Sequence, residues 1–111
     1  MNQTQETSSK GKTPAIVAYI TIIGFIIAIF MNMDDKDKLA SFHIRQAFGA
    51  HIIFYLLGAV ASTFSNLFVP TAFYLVSVVI WLYGLIGAIQ GEYKMIPYIG
   101  VYFQKWFKSI T

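Results

Sequence analysis

The sequence predicts an all-α integral membrane protein: three transmembrane helices followed by a C-terminal interfacial amphipathic helix. Two observations carry this. Of the 111 residues, 57% are hydrophobic and only 12% are charged, whereas a soluble domain is about one quarter charged. The charges are also unevenly placed. No Asp, Glu, Lys or Arg occurs in the 21 residues from Thr13 to Met33 or in the 46 residues from Gln46 to Gly91. One apolar stretch of about 20 residues spans a bilayer, so the two gaps have room for one span and for two. This composition excludes a soluble enzyme domain, and the absence of cysteine excludes a disulfide scaffold or a thiolate metal site.

Residues 1–13 are polar and are expected to form a disordered N-tail, with residues 14–111 as a single membrane domain. Thr13-Pro14 reads as a helix start, a hydroxyl cap before proline at the first helical position. Span one, residues 14–33, is rich in Ile, Val and Phe. It is longer than a signal-peptide core and ends in Met-Asn-Met-Asp-Asp, so a retained anchor is expected. Spans two and three cover residues 42–65 and 70–90, with Asn66 and Pro70 in the turn between them. Beyond them, Ile99, Tyr102, Phe103, Trp106, Phe107 and Ile110 share one helical face. At about 1.5 Å per residue, the segment 97–110 is too short to cross about 30 Å of hydrocarbon. It reads as an interfacial helix anchored by Lys105, Trp106, Phe107 and Lys108.

Three spans place the N-tail, with Lys10 and Lys12, opposite the first loop and the C-terminal tail, which carry Lys36, Lys38, Arg45, Lys94, Lys105 and Lys108. The excess of Lys and Arg then puts the C-terminus in the cytoplasm and the N-terminus outside a bacterial inner membrane. Anionic lipid headgroups are the expected partner of the basic flanks, and nucleic acid is not.

Small residues, among them Gly24, Ala28, Gly58, Ser62, Gly84, Gly87 and Ala88, would let the helices pack closely in lipid. The start of span two and the end of span three share a leaflet. This predicts a polar interfacial cluster of His43, Arg45, Gln46, His51 and Glu92. A cation in the first turns of a helix opposes the helix dipole, so Arg45 is expected to pair with Glu92 or a lipid phosphate. His51, inside the span, is expected to bond a neighbouring helix. Two histidines without cysteines or carboxylates at ligand spacing make a poor metal site. No catalytic grouping or phosphate loop is present, and neither cofactor nor enzymatic activity is expected.

The runs Phe42-His43-Ile44-Arg45-Gln46, Gly91-Glu92-Tyr93-Lys94 and Ile96-Pro97-Tyr98-Ile99-Gly100 resemble small bacterial membrane proteins related to the twenty-kilodalton import component of the chloroplast inner envelope. The resemblance implies an all-helical membrane protein and a link to protein translocation. It also implies that His43, Arg45, Gln46, Glu92, Pro97 and Gly100 are family-defining rather than catalytic. The expected function is therefore a non-enzymatic subunit or accessory of a membrane complex, acting with a protein partner or as a homo-oligomer. The alternative is a lipid-binding or bilayer-modulating protein that works through the C-terminal helix.

Overall fold

A computed structural model describes residues 11–111 in full, together with the helical backbone leading into them from Asn2. Its helices are α1 (Asn2–Ile20), α2 (Ile22–Met31), α3 (Lys38–Ala61), α4 (Phe68–Gln90) and α5 (Gly100–Trp106), followed by a 3₁₀ turn, Lys108–Ile110. No strand occurs among the described residues. The expected disordered tail lies, for residues 1–10, outside the residues whose side chains are described. Helix α1 runs through Thr13 and Pro14 instead of starting there.

The largest departure from expectation is span one, which is not a single helix. Thr21 has extended backbone (φ −150°, ψ 173°), and its side chain accepts the Gly24 N–H to cap α2. The chain reverses at this point. Helix α1 enters with Gly11 against Asp37 and Lys12 against Gly91, and reaches Gly84 with the Tyr19 ring. Helix α2 then returns, stacking Phe25 on Phe48, until Asn32 bonds Asp37 and Ser41 at the start of α3. The result is a helical hairpin whose two ends lie together. Its arms, Gly11 to Ile20 and the ten residues of α2, are each about 15 Å long, half a hydrocarbon core.

Among the described residues, only α3 (24 residues) and α4 (23 residues) are long and apolar enough to cross a membrane; their lengths are about 36 and 35 Å. Asp37 caps α3 by accepting the Ala40 N–H. Gly91 ends α4 in the left-handed region (φ 71°), with Gly91 N–H bonded to Ala88 O and Glu92 N–H to Gly87 O. This is a glycine C-cap that turns the chain back over α3.

The hairpin corrects the expected sidedness. Lys12 lies at the same end of the molecule as the 32–37 loop, the 91–99 segment and Thr111, not opposite them. The hairpin, the 91–99 segment and α5 all surround the first half of α3, where Ala40, His43, Ile44, Gln46 and Ala47 are fully buried. Past His51, α3 pairs with α4 alone. Phe54, Tyr55, Leu56, Leu75, Val76 and Val79 are exposed there.

Helix α5 spans seven residues and is a packing element, which corrects the uniform membrane-facing stripe expected for residues 97–110. Phe103 is buried over Gly49, Phe107 packs on Phe48 and Phe103, and Gln104 donates to Phe42 O at 2.8 Å. Trp106 and Tyr102 remain on the outside.

Two predictions follow from this geometry. In the cysteine-free chain, Lys12→Cys and Glu92→Cys should be joined by a short bis-maleimide, because Lys12 reaches Gly91. A continuous first span would carry one end of residues 12–31 about 30 Å from the other, and Lys12→Cys and Glu92→Cys would then not be joined. Phe103→Ala should cost about 3–5 kcal/mol of stability in detergent. Trp106→Ala, at an exposed site, should change the unfolding midpoint little.

Candidate functional site

Besides the Asn32–Asp37–Ser41 contacts at the start of α3, two polar centres lie within the apolar body. The first surrounds His43 and Gln46, one turn apart on the buried face of α3. A backbone carbonyl only accepts, so the 2.7 Å contact from His43 Nε2 to Glu92 O places the imidazole proton on Nε2. His43 Nδ1 is then the acceptor for the Tyr19 hydroxyl at 2.8 Å. Gln46 Nε2 donates to the Tyr19 oxygen at 2.9 Å and to Lys94 O at 3.1 Å, while Gln46 Oε1 accepts the Ile96 N–H at 2.7 Å. Every donor and acceptor in this set is paired, and no member carries a charge. That is the condition under which polar groups are buried at low cost.

This network binds three segments: the hairpin through Tyr19, the first half of α3, and the irregular 91–99 stretch. Residues of the three runs 42–46, 91–94 and 96–100 meet at this point. Gly100 belongs to the same contact, since a Cβ there would press on Met95 and on Gln46 Oε1.

Arg45 points elsewhere. Its guanidinium donates to Thr111 O at 2.7 Å and to Gln104 Oε1 at 3.5 Å, and its Nε is buried without a partner. Glu92 faces Lys94 at 3.9 Å on the surface. The expected Arg45–Glu92 pair does not form, because the turn at Gly91 presents the backbone of Glu92, not its carboxylate, to α3. Close to this turn, partial burial and then the Asp37 carboxylate push the Tyr93 phenol above its usual pKa.

The second centre is the hairpin tip. His51 Nε2 bonds Ala18 O at 2.9 Å, and Trp81 Nε1 donates to Tyr19 O. These are carbonyls that α1 leaves open when it stops. His51 therefore bonds a neighbouring helix as expected, though not within the cluster around His43. A cavity of about 440 Å³ lies directly beneath the tip, lined by Ile20 to Ile23, His51, Tyr74, Ser77 and Trp81 among others.

The expected packing residues divide along the same line. Gly24 lies on the Val17 carbonyl, Gly84 under Tyr19, and Gly87 beside Lys94 and His43; Ala28 and Ala88 are fully buried. Gly58 faces open space, and Ser62 only returns a bond to Ala59 O. Of the expected anchor residues, Lys105 and Trp106 are exposed and Phe107 is packed. No group of three metal-ligating side chains occurs among the described residues.

No protein-family model, curated protein or solved structure matches the chain. The site is therefore read from its own geometry.

Sequence reasoning missed Tyr19, Thr21, Asn32 and Trp81. Trp81 carried the one usable signal. Tryptophan favours membrane interfaces, and one placed mid-span needs a partner for its N–H.

Gln46→Leu should be the most damaging single change in the first centre. It leaves the Ile96 N–H, Lys94 O and Tyr19 hydroxyl each short of a partner, at about 1–3 kcal/mol per group. Denaturant unfolding in detergent should show a loss of at least about 3 kcal/mol, well beyond that of Lys36→Ala. Equal midpoints would mean that the network contributes nothing.

Proposed function

We propose that the chain is a non-enzymatic integral membrane protein in which α3 and α4 cross the bilayer and the α1–α2 hairpin enters and leaves from one side. It acts as a subunit or accessory of a membrane complex linked to protein translocation. The observation that supports this reading most is the contrast between the two ends. Lys12, Lys36, Lys38, Arg45, Lys94, Lys105 and Lys108 all belong to the end where the hairpin, the 91–99 segment and α5 gather. The far halves of α3 and α4 carry no charge and expose large apolar side chains, with Leu67 and Phe68 more than four-fifths exposed at the turn.

The positive-inside rule then assigns the crowded end, with both Lys12 and Thr111, to the cytoplasmic face of a bacterial inner membrane, next to anionic headgroups. A hairpin that stops half-way leaves the two spans bare in the other leaflet. Leu75, Val79, Leu82 and Ile86 form an exposed stripe along α4 that a partner helix or a second copy can cover. The resemblance of residues 42–46 and 91–100 to relatives of the chloroplast import component is the support for the translocation link. The lipid-binding alternative is less well supported, because Phe103 and Phe107 are spent on protein contacts.

Impermeant thiol labelling of intact cells tests the arrangement. A cysteine at Ser65 should react from outside, while cysteines at Lys12 and Lys108 should react only after permeabilisation. Labelling of Lys12→Cys and Lys108→Cys from opposite sides would overturn the topology. Crosslinking from Val79→Cys in native membranes should yield a discrete adduct. A strictly monomeric protein would sink the complex while leaving the topology standing.

A further inference from the structure

The cavity beneath the hairpin tip has a chemical character that narrows its occupant. Its roof is the chain reversal. There the Gly24 and Phe25 N–H groups are satisfied by Thr21, while those of Ile22 and Ile23, in the first turn of α2, have no acceptor within that helix. One wall carries His51. Its Nε2 serves the Ala18 carbonyl, so its Nδ1 bears a lone pair and has no described donor. Tyr74 and Trp81 also line it, and no charged residue takes part. At about 440 Å³ the space falls within the usual range for a small-molecule site, roughly 300–1,000 Å³. Next to it lies a second, smaller space of about 70 Å³, a furrow lined by Phe54, Gly58, Ala61, Pro70 and Phe73 among others. Both share Phe54, Tyr74 and Ser77.

We propose that this cavity binds the neutral planar headgroup of an isoprenoid quinone, with the tail laid in the furrow between α3 and α4. The inference rests on the membrane reading of those helices. Quinone oxygens accept from backbone N–H groups, and the quinol O–H donates to a bare imidazole nitrogen. Aromatic side chains in the lining suit a planar ring, and an uncharged lining matches an uncharged ligand that dissolves in the bilayer interior. A saturated acyl chain would leave both the N–H groups and His51 Nδ1 unmet in hydrocarbon, which is costly. A furrow of about 70 Å³ is too small to seat a helix about 10 Å across. A second copy oriented the same way by its basic end would bring its own bare half, not a polar group, to this depth.

Trp81 in the wall supplies the readout. The chain has two tryptophans, so Trp106→Phe leaves Trp81 as the sole reporter. Decylubiquinone added to this full-length protein in maltoside micelles should quench Trp81 saturably. Oleate at the same concentration should not displace it. Val78→Phe, which narrows the cavity, should raise the half-saturation concentration at least tenfold, while Val101→Phe on the outside of α5 should leave it unchanged. Quenching linear in quinone, displacement by oleate, or equal effects of the two valine variants would overturn the proposal. If Val78→Phe fails to fold by circular dichroism, the oleate competition on the parent protein decides alone. A protein that fractionates away from membranes would sink the membrane reading, whereas the quenching titration reads the cavity itself.

Discussion

The structure depends on how the chain turns round at Thr21. A helix that stops inside an apolar body leaves its last carbonyls and the next helix's first N–H groups without partners. Each such group costs several kcal/mol in hydrocarbon. The reversal persists because other helices supply what is missing. Trp81 on α4 donates to Tyr19 O, and His51 on α3 bonds Ala18 O. Thr21 itself caps α2. Without these three side chains the stretch 14–33 would do better as one straight helix. The turn is therefore bought by residues remote in sequence, and it decides that both ends of the hairpin lie beside the start of α3.

The Tyr19–His43–Gln46 network acts on the other side of the same hairpin. Tyr19 is the last-but-one residue of α1, and its two ends do different things. Its carbonyl closes the tip through Trp81, and its hydroxyl joins His43 and Gln46. One residue thus fixes both the depth at which α1 stops and its register along α3. Because the network balances donors against acceptors, it also selects one position for the 91–99 stretch. A shift of that stretch by one residue would exchange the Ile96 N–H for a proline at Pro97, which has no N–H to give.

Much of this was legible in the residues. The charge-free stretch from Gln46 to Gly91 marks most of α3 and all of α4, although α3 starts earlier, at Lys38, and Pro70 falls in the first turn of α4, not in the connection at residues 62–67. The meeting of His43 and Gln46 with the 91–94 region follows from two antiparallel helices sharing an end. What composition could not reveal is the difference between a straight apolar helix and a folded one. Ile, Val and Phe favour burial in either, and a lone Thr21 is tolerated inside membrane helices. The breaking signal resides in His51 and Trp81, which are 30 and 60 residues away in the chain. The C-terminal segment misled for a related reason. An apolar helical face predicts burial, but whether Phe103 is buried in lipid or against Gly49 depends on a gap that only the fold creates. Arg45 was expected to meet an anion, Glu92 or a lipid phosphate. Its guanidinium meets the Gln104 side-chain oxygen and the Thr111 main-chain oxygen instead of the Glu92 carboxylate.

The same facts explain why the molecule is built unevenly. At the basic end, five segments meet and polar groups with fixed geometry specify one arrangement. In the opposite half, α3 and α4 have only apolar contacts with each other and with whatever surrounds them. In the membrane arrangement proposed above, hydrocarbon as apolar as Leu or Val would give those halves no reason to associate beyond close packing. Gly58 has nothing against it, and the packing there is open. Specific polar contacts are thus concentrated at one end and open apolar packing at the other, with the hairpin tip at the boundary. A site at that boundary has a polar roof, with His51 bonded to the Ala18 carbonyl, and a lining drawn partly from the half where α3 and α4 pair alone. A ligand seated there would leave untouched the Tyr19–His43–Gln46 network that holds the fold.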